Sequence, residues 1–397
     1  MTKETYSWEG LFRGHFAGCR LSVALLLAVA MGTSAFAGND DDRRKVLPIK
    51  EQGSLAAGAK VLKNPGEDGG EFHYDYLYAF YQIPANAAKN SLVMWHGCLG
   101  RAWERRPDGG EGFQSKMVRH GFPVFVIDSP RLSRGARGLG AYSVDAVTSG
   151  DDCGWNSFRY GRWSPPAKRT FFPGVQLARD PKSVADLCEL SGSPGGPSLG
   201  YPGTPETRAV WTDAVLDLIA KKSGDTVLMT HSASGIYGFE AAMRTNKIKG
   251  IIAYEPAGFA FPSDGVPPVI VTPDFIGDIV QRPFVVSPQE FRKLTKIPIQ
   301  IVFGDNISFS DQPVAQNEEW RILQIRAKQF ANAVNSRGGN VEVLFLPKIG
   351  VRGNTHFPFF DLNNQKIADL AADFLKRKGL ARKNDHDDDD HHHGYGQ

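Results

Sequence analysis

The stretch DTVLMTHSASGIYGFEAAMR, residues 225–244, decides the fold. A β-prone apolar run, 226–229, ends abruptly in Thr-His-Ser-Ala-Ser-Gly and passes straight into a helical pattern. That succession marks a nucleophile elbow, a sharp strand-to-helix turn that lifts one serine hydroxyl above a sheet. Ser232 stands at the turn. So tight a turn favours small residues two before and two after the serine, since bulkier ones collide with the neighbouring strand and helix. Thr230 and Ser234 occupy those positions instead of glycines, with Gly235 one step later. The elbow is imperfect by pattern, and its support must come from the rest of the chain.

Upstream, residues 91–95 read as a short buried strand, followed by a glycine-containing loop over 96–112. Residues 113–120 read as a helix and 123–127 as an apolar strand ending at Asp128. The aromatic, β-prone segment 72–84 suggests one or two edge strands. A helix is expected over 205–222, with Thr204 as its cap. Beyond the elbow come strands over 248–254, 298–303 and 341–346, and helices over 317–336 and 362–378. Strands alternating with helices imply βαβ units, hence an α/β fold with a mostly parallel central sheet flanked by helices. Two irregular insertions interrupt it, at about 131–204 and 257–296. The first is rich in Gly, Pro and aromatics, including Trp155, Phe158, Tyr160 and Trp163, and reads as a packed lid. No internal repeat is visible.

The chain has 397 residues, of which 41% are hydrophobic, enough for one large α/β domain with a substantial core. A net charge of +3 gives no case for nucleic acid or an anionic membrane as partner. Residues 1–37 have the form of a secretory signal: Lys3, Arg13 and Arg20, an apolar run over 21–31, and Ala35-Phe36-Ala37 as a cleavage site. A membrane span needs roughly 20 apolar residues, more than this run supplies. Cleavage near Ala37, a periplasmic or secreted location and no stable span after processing are therefore expected. Residues 38–70 read as a flexible leader, 71–380 as the folded domain, and 381–397 as a disordered Asp/His-rich tail with no assigned site. Once Cys19 leaves with the signal, Cys153 and Cys188 can pair across the first insertion, with Cys98 as the odd thiol. Sequence alone leaves that pairing open.

A serine hydroxyl is a weak nucleophile. It needs a base, and the base needs an acid to hold its tautomer and orientation. In α/β-hydrolases these follow in the order serine, acid, histidine. His356, in the loop after strand 341–346, is the one histidine between Ser232 and the tail. For the acid, many hydrolases place an aspartate three residues beyond a glycine after the penultimate strand. Here that position holds Ile307, and Asp305 comes too early in the loop. Glu255, at the end of the neighbouring strand 248–254, is favoured over Asp305. The two oxyanion-hole N–H donors are expected from Ala233, directly after the nucleophile, and Cys98, after the His96-Gly97 pair. His231 reads as packing.

These residues resemble a small branch of secreted α/β-hydrolase esterases. The shared pieces are Trp95-His96-Gly97-Cys98, Trp103-Glu104-Arg105-Arg106-Pro107-Asp108-Gly109, Asp128 with Arg131 and Arg134-Gly135, the His-Ser-x-Ser-Gly elbow, Glu255, and Thr355-His356 with Asp361 and Asn363. The likeness covers most of 71–375. It implies a Ser-His-Glu carboxylesterase needing neither metal nor cofactor, acting on a small-molecule ester, apolar or aromatic by the character of the lid. Leu99 departs from it: members of that branch can carry adjacent cysteines there, and a vicinal disulfide is excluded in this chain. Open alternatives are a lactonase, a hydrolase of another acyl or carbon–carbon bond, and a non-catalytic binding protein on the same scaffold. Oligomeric state is not readable.

Overall fold

Eight strands build the central sheet in the computed structural model, which describes residues 46–63, 66, 69–97, 100–135, 154–191, 205–270, 283–307 and 315–383. In chain order the first elements are β1 (Ile49–Ala57), β2 (Lys60–Lys63), β3 (Glu71–Tyr74), β4 (Leu77–Pro84), β5 (Ser91–His96), α1 (Phe113–Arg119), β6 (Val124–Asp128), β7 (Gly161–Arg162), β8 (Thr170–Phe171) and α2 (Pro181–Ser191). Then come α3 (Pro205–Leu218), β9 (Thr226–His231), α4 (Ser234–Arg244), β10 (Ile248–Tyr254), β11 (Ala260–Pro262), β12 (Phe284–Val286), α5 (Pro288–Phe291), β13 (Pro298–Phe303), α6 (Ala315–Asn335), β14 (Asn340–Phe345) and α7 (Asn364–Arg377). The sheet order is β1-β4-β6-β5-β9-β10-β13-β14. The β1–β4 and β4–β6 pairs are antiparallel, and every pair from β6 to β14 is parallel. This is the α/β-hydrolase fold.

Burial on both faces explains why the parallel strands read as near-continuous apolar runs. Successive side chains alternate between two cores. Val93, Trp95, Leu228, Ile251 and Ala253 face α3, α4 and α6. Leu92, Met94, Val227, Met229, Ile252 and Tyr254 face α1 and α7. The apolar stripes of those helices complete each layer.

Four expectations are corrected. Residues read as leader include β1, which pairs along β4 from Ile49 to Ala57, and β2, so the leader does not extend to residue 70. The signal was weak because β1 alternates exposed and half-buried positions as the sheet's edge. In consequence β4 is an interior strand, flanked by β1 and β6. The first insertion is also less irregular than its composition suggests. It holds α2, whose start is marked by Asp180-Pro181, with the Ser183 N–H donating to Asp180 Oδ1 at 2.9 Å. The second insertion contributes β11 and β12, which pair in parallel, and α5. The segment expected as a signal, the tail, and residues 136–153 and 192–204 of the first insertion lie outside the described residues.

Candidate active site

Register sets the site. His96 of β5 lies opposite His231 of β9, and His231 opposite Tyr254 of β10. The residues that follow, Gly97, Ser232 and Glu255, therefore leave the sheet side by side at its carboxyl edge, where open parallel sheets build their sites.

Ser232 and Glu255 both adopt left-handed backbone, with φ of 56° and 43°. Non-glycine residues hold that conformation only where their surroundings impose it. The Ser232 N–H donates to the Tyr254 carbonyl at 3.1 Å, and the Ser232 carbonyl accepts from Gly235 and Ala257, each at 3.0 Å. The Glu255 N–H donates to the Val302 carbonyl at 2.8 Å. Ser232 is half-buried, whereas Glu255 and His356 are buried.

The elbow's departures from glycine have local compensations. A Cβ on Gly238 of α4 would fall 2.6 Å from Thr230 Cγ2, so the helix carries its glycine where the threonine methyl needs room. A Cβ on Gly235 would fall 2.3 Å from Pro256 Cβ, directly after Glu255. Ser234 earns its position by hydrogen bonding: its buried hydroxyl contacts the Trp95 carbonyl, the His231 carbonyl (2.9 Å) and the His231 N–H (2.9 Å). It thereby ties the elbow to the end of β5.

Ala233 is the N-cap of α4, where backbone N–H groups lack intrahelical acceptors. A Cβ on Gly97 would come within 2.8 Å of Ala233 N, so glycine there keeps the N–H clear. The loop's far end is anchored by the Gly100 N–H on Asp128 Oδ1 (2.8 Å), with Arg134 on the other oxygen. Cys98, expected to give the second donor, and Leu99 lie outside the described residues.

His356 Nδ1 is 2.7 Å from Glu255 Oε2. An ionised carboxylate only accepts, so Nδ1 is assigned the proton and Nε2 the lone pair. Among the described residues, His356 Nε2 is buried with no hydrogen-bond partner. The ring packs against Trp320 (4.1 Å between centroids), His231 (4.3 Å) and Phe158 (5.2 Å, stacked). Its main chain is held at both ends: the N–H donates to the Phe158 carbonyl at 3.0 Å, and the carbonyl contacts His231 Nε2 at 2.9 Å. Below, the Asp361 carboxylate accepts from Thr355 N–H, Thr355 Oγ1 and Asn354 Nδ2 at 2.8, 2.8 and 2.9 Å.

Burial dominates the electrostatics. It pushes His356 well below its usual 6.5, aided by the Arg159 charge, which favours the neutral ring. It raises Glu255, against which Arg159 and the Gly304 N–H favour the anion. It lifts Asp361 to about 7 despite three hydrogen bonds. His231 is likewise held neutral by burial.

The structure brings Ser232, Ala233, Glu255 and His356 to one edge of the sheet. Asp305 is elsewhere engaged: its oxygens accept from Gly353 and Asn306 N–H, each at 2.8 Å, and so shape the loop. His231 does more than pack, since it holds the His356 carbonyl. Sequence reasoning missed Arg159, a fully buried arginine whose Nη2 bonds Glu255 Oε1. Nothing in an aperiodic insertion distinguishes it from Arg162 or Arg169. Cys188 is disulfide-bonded, and its partner lies outside the described residues. Among the described residues, no group of three or more His, Cys, Asp or Glu is placed to hold a metal ion, and no helix is long and apolar enough to cross a membrane.

No family model matches the chain. The chain is 26% identical over 347 residues to a probable secreted lipase, phiG, of a fungal species (strain ATCC 74256), an alignment covering 78% of this chain and 88% of that one. Among solved structures it is similar to a bacterial esterase known at atomic resolution, with 28% identity, a TM-score of 0.64, and coverage of 84% of this chain and 98% of the other.

Proposed function

We propose that the protein is an exported serine hydrolase of carboxylic esters, with Ser232 as nucleophile, His356 as general base and Glu255 as the acid that orients it. The Glu255–His356 hydrogen bond of 2.7 Å, beside the strained Ser232 turn, carries this reading. Similarity to a lipase and to an esterase supports the reaction class. The name of the fungal relative, with the signal-like residues 1–37, supports export.

Ser232 Oγ attacks the acyl carbon as His356 Nε2 takes its proton. Glu255 stabilises the imidazolium while the Ala233 and Cys98 N–H groups bind the oxyanion. His356 returns the proton to the leaving alcohol, and water deacylates Ser232 by the same steps in reverse. No step needs a metal or a cofactor. Phe158, Trp320 and Phe357 around the base fit a small apolar or aromatic ester.

Hydrolysis of chromogenic short-chain and aryl esters, set beside lactones, tests the proposal. The parent is expected to release the alcohol and Ser232→Ala to show no turnover above buffer. Parental turnover by Ser232→Ala, or no hydrolysis of any ester by the parent, would end it.

A further inference from the structure

Three consecutive residues of the first insertion each hold a different wall of the site. The Ser157 carbonyl accepts Trp320 Nε1 of α6 at 2.6 Å. The Phe158 carbonyl accepts the His356 N–H at 3.0 Å. Arg159, with left-handed backbone at φ 62°, directs its guanidinium beneath the carboxylate: Nη2 bonds Glu255 Oε1, and Nε donates to the Asp305 carbonyl at 2.9 Å. Both members of the Arg159–Glu255 pair are 0% exposed. The Gly304 N–H shares Oε1 at 2.7 Å, which leaves Oε2 for His356 Nδ1.

We infer that Arg159 is a positioning residue: it keeps the Glu255 carboxylate anionic and turned toward His356, so the insertion completes the site instead of merely covering it. This rests on the reading of Glu255 and His356 as acid and base. A carboxyl group buried without a cation escapes its desolvation cost by taking a proton. A protonated Glu255 no longer holds the Nδ1–H tautomer as an anion does, and His356 Nε2 loses its fixed lone pair. Arg159 prevents this with a charge that cannot be titrated away. Among the described residues, the other titratable groups coupled to Arg159, Glu255 or His356 are Asp361, His231, His96 and Glu319.

The sign of the pH effect follows from both partners. Removing the cation raises Glu255, which loses an attraction, and raises His356, which loses a repulsion. Since activity needs Glu255 ionised and His356 neutral, both changes move the acid limb of kcat/KM upward, by about 1–3 pH units. Loss of a purely structural strut lowers kcat and leaves the limb in place. The test is the pH profile of ester hydrolysis for the parent, Arg159→Met and Arg159→Lys, with thermal melts. The three are repeated with Glu319→Gln, which removes that carboxylate's own titration. Expected is a limb displaced upward by at least one unit in Arg159→Met, and a lower kcat with the parental limb in Arg159→Lys. A parental limb in folded Arg159→Met overturns the inference. Should Arg159→Met not fold, a limb displaced by a unit in Arg159→Lys, where the charge is kept, overturns it equally. Failure of the parent to hydrolyse esters through Ser232 would instead defeat the underlying functional reading.

Discussion

Replacing Glu255 by glutamine keeps the shape of the side chain and leaves two arrangements, both unfavourable. If the amide oxygen stays on the Oε1 side it still accepts from Arg159 and Gly304, but the NH2 then faces His356 Nδ1. That forces the proton onto Nε2, which can no longer take one from Ser232. If the amide turns over, its NH2 points at the two donors, and buried Arg159 Nη2 loses its acceptor. The first arrangement costs less, so the wrong tautomer is the expected outcome, with kcat reduced roughly 10⁴-fold, about 5.5 kcal/mol of transition-state stabilisation. Either arrangement breaks a buried ion pair, for which the stability loss is about 3–5 kcal/mol. Activity toward a p-nitrophenyl ester and urea unfolding read the two losses separately. Asp305→Asn serves as the control: one loop hydrogen bond is weakened, and kcat is expected to change by less than about 10-fold for a loss of roughly 1–3 kcal/mol of stability. A fall of less than 10-fold in Glu255→Gln, or a larger one in Asp305→Asn, would refute the reasoning.

Two further substitutions probe the residues packed around His356. His231→Phe keeps a ring against His356 but strands its carbonyl; melting temperature and kcat should both fall, with a stability loss of about 1–3 kcal/mol, whereas unchanged kcat would restore packing as the residue's whole role. His96 is buried and held at about 3, so the folded protein refuses a proton that the unfolded chain accepts below 6.5. Its folded-state value is depressed, so its contribution is intact above 6.5 and is lost as pH falls toward 3. Relative to His96→Phe, the parent should lose about 1.36 kcal/mol per pH unit on acidification through that window; a constant gap would show His96 to be protonated in the fold.

The legible parts of the fold were those that periodicity and burial write into local sequence. The apolar runs of β10 and β13 fall on the expected residues because both faces of those strands are buried. β1 was illegible for the opposite reason, since an edge strand's alternating exposure resembles a polar leader. Ser232 and His356 were singled out by the elbow and by the chain order of α/β-hydrolases, and the structure brings both to the carboxyl edge of the sheet. Glu255 was favoured over Asp305 from its place at the end of the strand beside the elbow and from the resemblance, and the structure sets its carboxylate on His356 Nδ1. Arg159 lies 96 residues from Glu255 and meets it only through the fold of an aperiodic insertion. The compensation of Thr230 by Gly238 was equally out of reach, because each looks unremarkable until helix and strand are packed.

The most direct measurement is peptide mapping of the intact protein after reaction with a fluorophosphonate. A single adduct on Ser232, formed by the parent and lost on replacing His356 with alanine, is the predicted result. An adduct on another serine, or none from a protein that hydrolyses esters at the parental rate, would contradict Ser232 as the nucleophile.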